Sequence, residues 1–205
     1  LWYDPSLEPR EPDLPLGRAY HGHSQNISVR SSWDPRSATC VVYGKGGHGA
    51  EGHGNHDAGQ VCIDAYGDRL ITDPGSPPGY PLDFFGKNRY RYYNASALGH
   101  NILTFDDKEM RRERADQARI TDSLFEDQRG GWWQIDLTDL YDGVTSVRRT
   151  VCYLAPNTTV VFDEATLPSA RTISLRWHTV TDPIWSADGS FTVEHERGAL
   201  DALVT

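Results

Sequence analysis

The chain has 205 residues, a formal net charge of −9 and an aromatic content of 11%. That length buries one real core or two modest ones, and the acidic balance argues against a nucleic-acid partner, which needs a net basic face to displace counterions. No apolar run approaches the roughly 20 residues that span a bilayer, so no membrane partner is expected, and the first residues lack the basic start and apolar middle of a signal peptide.

Residues 1–17 are dense in proline and aperiodic, and they read as an extended connector to an upstream domain; the domain proper is expected over 18–205. Strand signals begin at 27–33, which alternates with period two, and continue at 38–43. Residues 60–66 and 69–73 read as a hairpin around a turn at 67–68, with His56 and Asp57 ahead of its first strand and Asp73 at the end of its second. The stretch 74–97 carries Gly, Pro and Tyr without a period and is predicted to be a long functional loop. A strand follows at 100–105. Residues 108–119 have helix-favouring side chains but too few apolar positions to bury a face. Further strands are expected at 131–137, 145–154, 159–163, 172–178, 190–193 and 202–204. Many short strands separated by Gly, Pro, Asn and Asp predict an all-β fold, an antiparallel β-sandwich with little helix. Both ends look like cuts through a larger protein. Cys40, Cys62 and Cys152 each sit in an apolar, β-branched setting with no CxxC spacing, so they are predicted to be free thiols behaving as small hydrophobes.

The chemistry concentrates in Gly52-His53-Gly54-Asn55-His56-Asp57-Ala58-Gly59, then Asp73-Pro74-Gly75, then His100-Asn101. Imidazole is both the usual proton shuttle near neutral pH and the commonest metal ligand. His56, Asp73 and His100 lie at or near strand ends on three segments and form the candidate metal set; zinc suits such a nitrogen and oxygen mixture, and three protein ligands leave a position open. The alternative is that each histidine only hydrogen-bonds locally. The glycine and asparagine between His53 and His56 suit a tight turn, which leaves His53 free for proton chemistry. Asp57 reads as an orienting or turn residue, and His48 as a bystander. His21, His23, His178 and His195 show no matching company. Tyr80 and the run Arg89-Tyr90-Arg91-Tyr92-Tyr93-Asn94 make an aromatic and basic loop expected to overhang the same site. Tyrosine rings stack on sugars and arginines hold carboxylates bidentately, so Arg89 and Tyr90, with Asn101, are the candidate contacts for an acidic saccharide. A loop that packs its tyrosines on its own scaffold is the competing reading. Arg111, Arg112, Arg114 and Arg119 alternate with acids and read as a solvated face.

The order His53-Gly54-x-x-Asp57-Ala58-Gly59, Asp73-Pro74-Gly75, a tyrosine-bearing loop and His100-Asn101 resembles the C-terminal β-sandwich domain of the heparinase II/III-like polysaccharide lyases. Residues 148–154 and 160–164 are similar to later strands of that domain, and Leu1-Trp2-Tyr3 is similar to the exit from the helical toroid that precedes it. The resemblance implies β-elimination on acidic polysaccharides or oligosaccharides such as heparan, alginate or hyaluronan. His53 matches the histidine that reaches into the catalytic cleft, with Tyr80 as a candidate acid or substrate contact. Asp73 and His100 match two ligands of the zinc-containing members. Asn55 stands where the remaining ligand is usually a histidine, and a one-position shift turns a strand side chain to the opposite face. Either the loop is remodelled so that His56 binds, or metal binding is weak or lost. The family carries its other catalytic groups, a tyrosine and an asparagine or histidine, on the upstream helical toroid, so this domain by itself is expected to be inactive. A periplasmic or secreted location is the matching expectation. Two rivals stand beside the lyase: a noncatalytic carbohydrate-binding or metal-stabilised interaction module, and a scaffold whose ancestral site has decayed.

Overall fold

The computed structural model describes residues 6–8, 10, 12–34, 37, 39–48, 53–113 and 117–205. Leu1-Trp2-Tyr3, Gly52 at the start of the histidine motif, and Arg114 therefore lie outside the described residues. Regular structure is antiparallel strand almost throughout, with helical turns only as 3₁₀ segments at Arg89–Arg91, Ala97–Gly99 and Thr138–Leu140 among the described residues. Among the described residues no helix is long and apolar enough to cross a membrane.

The first sheet runs in order Gly17–Tyr20 (β1), Asn26–Arg30 (β2), Cys40–Lys45 (β3), Val61–Ala65 (β4) and Asp68–Ile71 (β5). A second sheet is formed by Arg119–Glu126 (β7), Gly130–Asp136 (β8), Ser146–Leu154 (β9) and Thr158–Thr166 (β10), in spatial order β10-β9-β8-β7. Leu103–Phe105 (β6) pairs with Ile173–Leu175 (β11), and Ile184–Trp185 (β12), Ser190–Glu194 (β13) and Ala199–Leu203 (β14) make a third sheet. Alternation puts Ile27 and Val29 of β2, Val42 of β3, Trp133 and Ile135 of β8, and Val147, Val151 and Tyr153 of β9 into one core shared by the two large sheets. Gly44 lets the Trp133 indole close in, because a Cβ at that position would lie 3.1 Å from it, tighter than an ordinary contact. A second, smaller core joins Leu70 of β5 to Phe191 and Val193 of β13.

The predicted all-β sandwich is thus the observed architecture, with three local differences. Strand structure begins at Gly17, because β1 pairs with β2 through Gly17↔Val29. β7, a strand the sequence does not mark, starts at Arg119, the last residue of the helix-favouring stretch, and its inward residues are sparse because one of its faces meets solvent. The hairpin turn falls at Tyr66 and Gly67, with φ of 53° and 84°, as a two-residue turn with positive φ at both positions demands. Asp68 is left to begin β5, where its carboxylate accepts from the amides of Arg197 and Gly198. The cysteines are free as expected, and burial pushes the thiols of Cys40 and Cys62 up to about 12.

One residue breaks the apolar alternation of β9. Arg149 points into the core between Val147 and Val151 and is 0% exposed. Its register partner across the strands is Asp163, and the guanidinium grips that carboxylate bidentately, Nε to Oδ1 at 2.7 Å and Nη2 to Oδ2 at 2.9 Å. Nη1 donates to the carbonyls of Gly59, at 2.8 Å, and Asn101, at 2.7 Å. Breaking a buried pair from one side leaves an uncompensated charge, at a cost of about 3–5 kcal/mol. Arg149→Met should lose that much in urea unfolding, and the double variant Arg149→Met/Asp163→Leu should recover part of it. Equal stability of Arg149→Met and the parent chain would contradict the assignment.

Candidate functional site

Two of the predicted metal residues meet. His100, fully buried after the 3₁₀ turn Ala97–Gly99, sets Nδ1 at 2.8 Å from Asp73 Oδ2 and 3.0 Å from Gln60 Oε1. The other Asp73 oxygen accepts the Gly75 amide at 2.6 Å, the turn that Asp-Pro-Gly encodes. Burial pushes the Asp73 carboxyl up, but the hydrogen bond and charge of His100, the Gly75 amide and Gln60 outweigh it and hold the group below the ordinary carboxylate range. His100 Nε2 is buried with no hydrogen-bond partner among the described residues.

Asn101 is fully buried and wholly engaged. Its amide nitrogen donates to the carbonyls of Val61 and Thr72, each at 2.9 Å. Its oxygen therefore faces His178, accepting from the backbone amide at 2.6 Å and standing 3.0 Å from Nδ1. That arrangement puts the proton of His178 on Nδ1 and leaves Nε2 to accept from the Tyr93 hydroxyl at 2.6 Å. Burial, then the nearby His100, lower the proton affinity of His178 against the opposing pull of Asp73, in keeping with a neutral ring. Asn101, expected at a substrate contact, thus spends its side chain on the scaffold. His178, to which the sequence assigned nothing, sits beside the His100–Asp73 pair.

His53 is exposed, with a left-handed φ of 66°. That conformation costs a non-glycine residue on the order of 1–2 kcal/mol and must be held from outside. Arg89 holds it: the guanidinium donates to the carbonyls of His53, at 2.8 Å, and Gly54, at 2.9 Å, and to Asn55 Oδ1, at 2.7 Å. Arg89 is buried and lies over the rings of Phe84 and Phe85, so its fork faces the histidine loop. The His53 ring packs on Phe85 with centroids 4.4 Å apart, and Tyr80 packs on the same phenylalanine at 4.8 Å. Phe85, which the sequence reading passed over, therefore joins the two candidate catalytic side chains in one exposed aromatic patch. The Tyr80 hydroxyl is exposed and reaches Ser76 Oγ at 3.0 Å.

His56 has other company. It is 3% exposed, its Nδ1 lies 2.5 Å from Glu109 Oε2, and its ring stacks on Tyr90 with centroids 3.7 Å apart. Glu109 Oε2 also accepts the Ala97 amide at 2.9 Å. Arg112, read as part of a solvated face, lies over the Tyr90 ring. Asp57 pairs with Lys45 through both oxygens, at 2.7 and 2.9 Å, consistent with the orienting task expected of it.

Zinc was expected on His56, Asp73 and His100. Among the described residues no three His, Cys, Asp or Glu side chains gather into a set that could hold a metal ion. His100 and Asp73 supply two suitable donors, whereas His56 is committed to Glu109. The described side chains do not fit a three-ligand zinc cage. The polar network itself is testable. Asn101→Ala takes this partner from the buried Val61 carbonyl, the half-buried Thr72 carbonyl and the half-buried His178 amide, at about 1–3 kcal/mol each. Urea unfolding should show a loss of about 3 kcal/mol or more, and a loss below about 1 kcal/mol would contradict the network.

Comparison with solved structures finds the same fold in much longer proteins. The heparan sulfate lyase HepC from Pedobacter heparinus superimposes with a TM-score of 0.74 at 18% identity, covering 90% of this chain and 28% of that one. A heparinase III gene product gives a TM-score of 0.73 at 19% identity, covering 90% of this chain and 27% of that one. A further heparinase III gives 0.63 at 19% identity, with 83% of this chain and 26% of that one covered. The chain therefore spans little more than a quarter of the length of these proteins. No match is found among the curated proteins. The model of the Heparinase II/III-like, C-terminal family matches residues 19–202, nearly the whole chain, and the protein belongs to that family.

Proposed function

We propose that this chain is the β-sandwich part of a polysaccharide lyase that cleaves uronic-acid glycans by β-elimination, presenting His53 to a cleft shared with an upstream helical toroid. Family membership supports the reading, as do the names of the structural neighbours, which are heparan sulfate lyases and heparinases. The observation that carries it is the exposed imidazole of His53, held in a costly backbone conformation by a buried arginine. Strain of this kind persists only where the surroundings enforce it, and it clusters at sites that act on ligands.

In such a reaction a base removes the proton at C5 of the uronate. The electron pair forms the C4–C5 double bond, the C4–O4 bond breaks, and an acid delivers a proton to O4. His53 is assigned to this proton chemistry, and Tyr80, which also packs on Phe85, to a supporting acid or contact role. Arg89 acts through His53 as a positioning residue. A periplasmic or secreted location goes with a polymeric substrate.

Two experiments test the reading. Joined to its native upstream region, the protein should generate the ultraviolet absorbance of unsaturated uronate from an acidic glycan, and His53→Ala should reduce the rate at least 100-fold, the scale of a lost general acid or base. A rate unchanged by His53→Ala rejects the assignment, and no signal on any acidic glycan favours a binding module. Zinc, retained in the proposal through His100 and Asp73 alone, is tested by metal analysis of the purified protein. Asp73→Ala should lower bound zinc and His56→Ala should not; a loss with His56→Ala would return that residue to the ligand set.

A further inference from the structure

A cleft of about 510 Å³ opens between the segment around Lys87–Arg91 and the segment 109–113. Four cations, Lys87, Arg91, Arg111 and Arg112, line it against two carboxylates, Glu109 and Glu113, so the local charge is reversed in a chain whose net charge is −9. Glu109 is already engaged by His56 and the Ala97 amide, and Arg111 faces Asp142 at 3.7 Å. Lys87 and Arg91 are exposed and form no ion pair among the described residues. A concave surface with this charge balance attracts an anion.

The second observation is independent of charge. His56 forms part of the wall of this cleft, is 3% exposed, and has Nε2 buried with no hydrogen-bond partner among the described residues. A buried polar atom left unpaired costs about 1–3 kcal/mol, so its partner is expected to arrive with a ligand. Glu109 accepts from Nδ1, so a neutral ring carries its proton there and presents Nε2 as an acceptor. The ring cannot swing away, because it is stacked on Tyr90, over which Arg112 also lies. An atom that accepts a hydrogen bond, next to a group of cations, asks for a ligand carrying a hydroxyl beside an acid group.

We infer that this cleft is a subsite for an acidic sugar, in which His56 Nε2 accepts a ring hydroxyl while Lys87, Arg91 and Arg112 hold the sulfate or carboxylate. His56 is then a sugar contact oriented by Glu109, a different task from metal ligation. The inference rests on the acidic-glycan reading above but not on the chemistry at His53. The cleft therefore still binds if the joined protein yields no unsaturated product, and that result would reject the lyase alone.

The test is a titration of the chain with a sulfated uronate disaccharide, following the His56 imidazole nitrogens by NMR. Parallel titrations use a neutral disaccharide and inorganic sulfate. The disaccharide should shift the His56 Nε2 resonance, and the neutral sugar and free sulfate should each bind at least tenfold more weakly. Lys87→Ala/Arg91→Ala changes only exposed side chains, and with circular dichroism unchanged it should weaken binding at least tenfold. The inference is overturned by an unmoved His56 resonance at saturating disaccharide or by unchanged affinity in the double variant. Free sulfate binding as tightly as the disaccharide overturns it too, because the cleft is then a simple anion site, and so does equal affinity for the neutral sugar.

Discussion

The architecture turns on one charged side chain placed where a hydrophobic one would be the default. Arg149 sits in the inward phase of β9, balanced by Asp163 on β10, and uses its remaining donor to grip Gly59 and Asn101. Gly59 ends the loop that carries His53 and His56, and Asn101 follows His100. One guanidinium thus ties both histidine-bearing segments to the second sheet. From Asn101 the polar chain continues to Val61, Thr72 and His178, fixing the strand end at which Asp73 emerges. Each buried bond here is worth most when all are made, since an unpaired member in a low-dielectric interior is penalised in full.

This network divides the site into two kinds of surface. Behind it, Asn101 and Arg149 are sealed and hold segments together, and His100 is sealed against Asp73 with its Nε2 unpartnered among the described residues. In front of it, His53, Tyr80 and Phe85 form an exposed aromatic patch, and the cleft beside His56 is lined by cations. Arg89 links the two, buried in its guanidinium yet bonded to the carbonyl of the exposed His53. A substrate would meet a preorganised rim rather than a loop that must be ordered on binding, and the ordering cost is carried by folding instead.

Much of this was legible in the chain. The alternation at 27–33 and 145–154 and the dense turn residues predicted antiparallel sheets because pleat and burial share a period of two. Asp73 and His100 were paired in advance because both stood at predicted strand ends. What escaped detection depends on partners far away in sequence. The sequence groups His56 with Asp73 and His100 as a metal ligand, yet Glu109 claims it across 53 residues from a segment read as solvated. His178 was set aside for want of neighbours, and its partners Asn101 and Tyr93 lie more than 75 residues away. Arg149 keeps the phase of Val147 and Val151, so its burial follows from the alternation, but nothing local signals that Asp163 would meet it. The strand β7 escapes a reading of the sequence because one of its faces meets solvent and its apolar alternation is sparse; its ladder with β8 holds it in place.

If buried polar bonds weld the site-bearing segments to the sandwich core, those segments open only with it. Native-state hydrogen exchange measures this directly at the amides of Gly59, Thr72 and His178, which donate to Lys45 O, His178 O and Asn101 Oδ1 respectively. Their opening free energies should equal those of core amides such as Val42 and Val151, tracking global unfolding. Exchange at these three amides through a lower-energy local opening, while the core stays protected, would show that the segments move independently and would contradict the account.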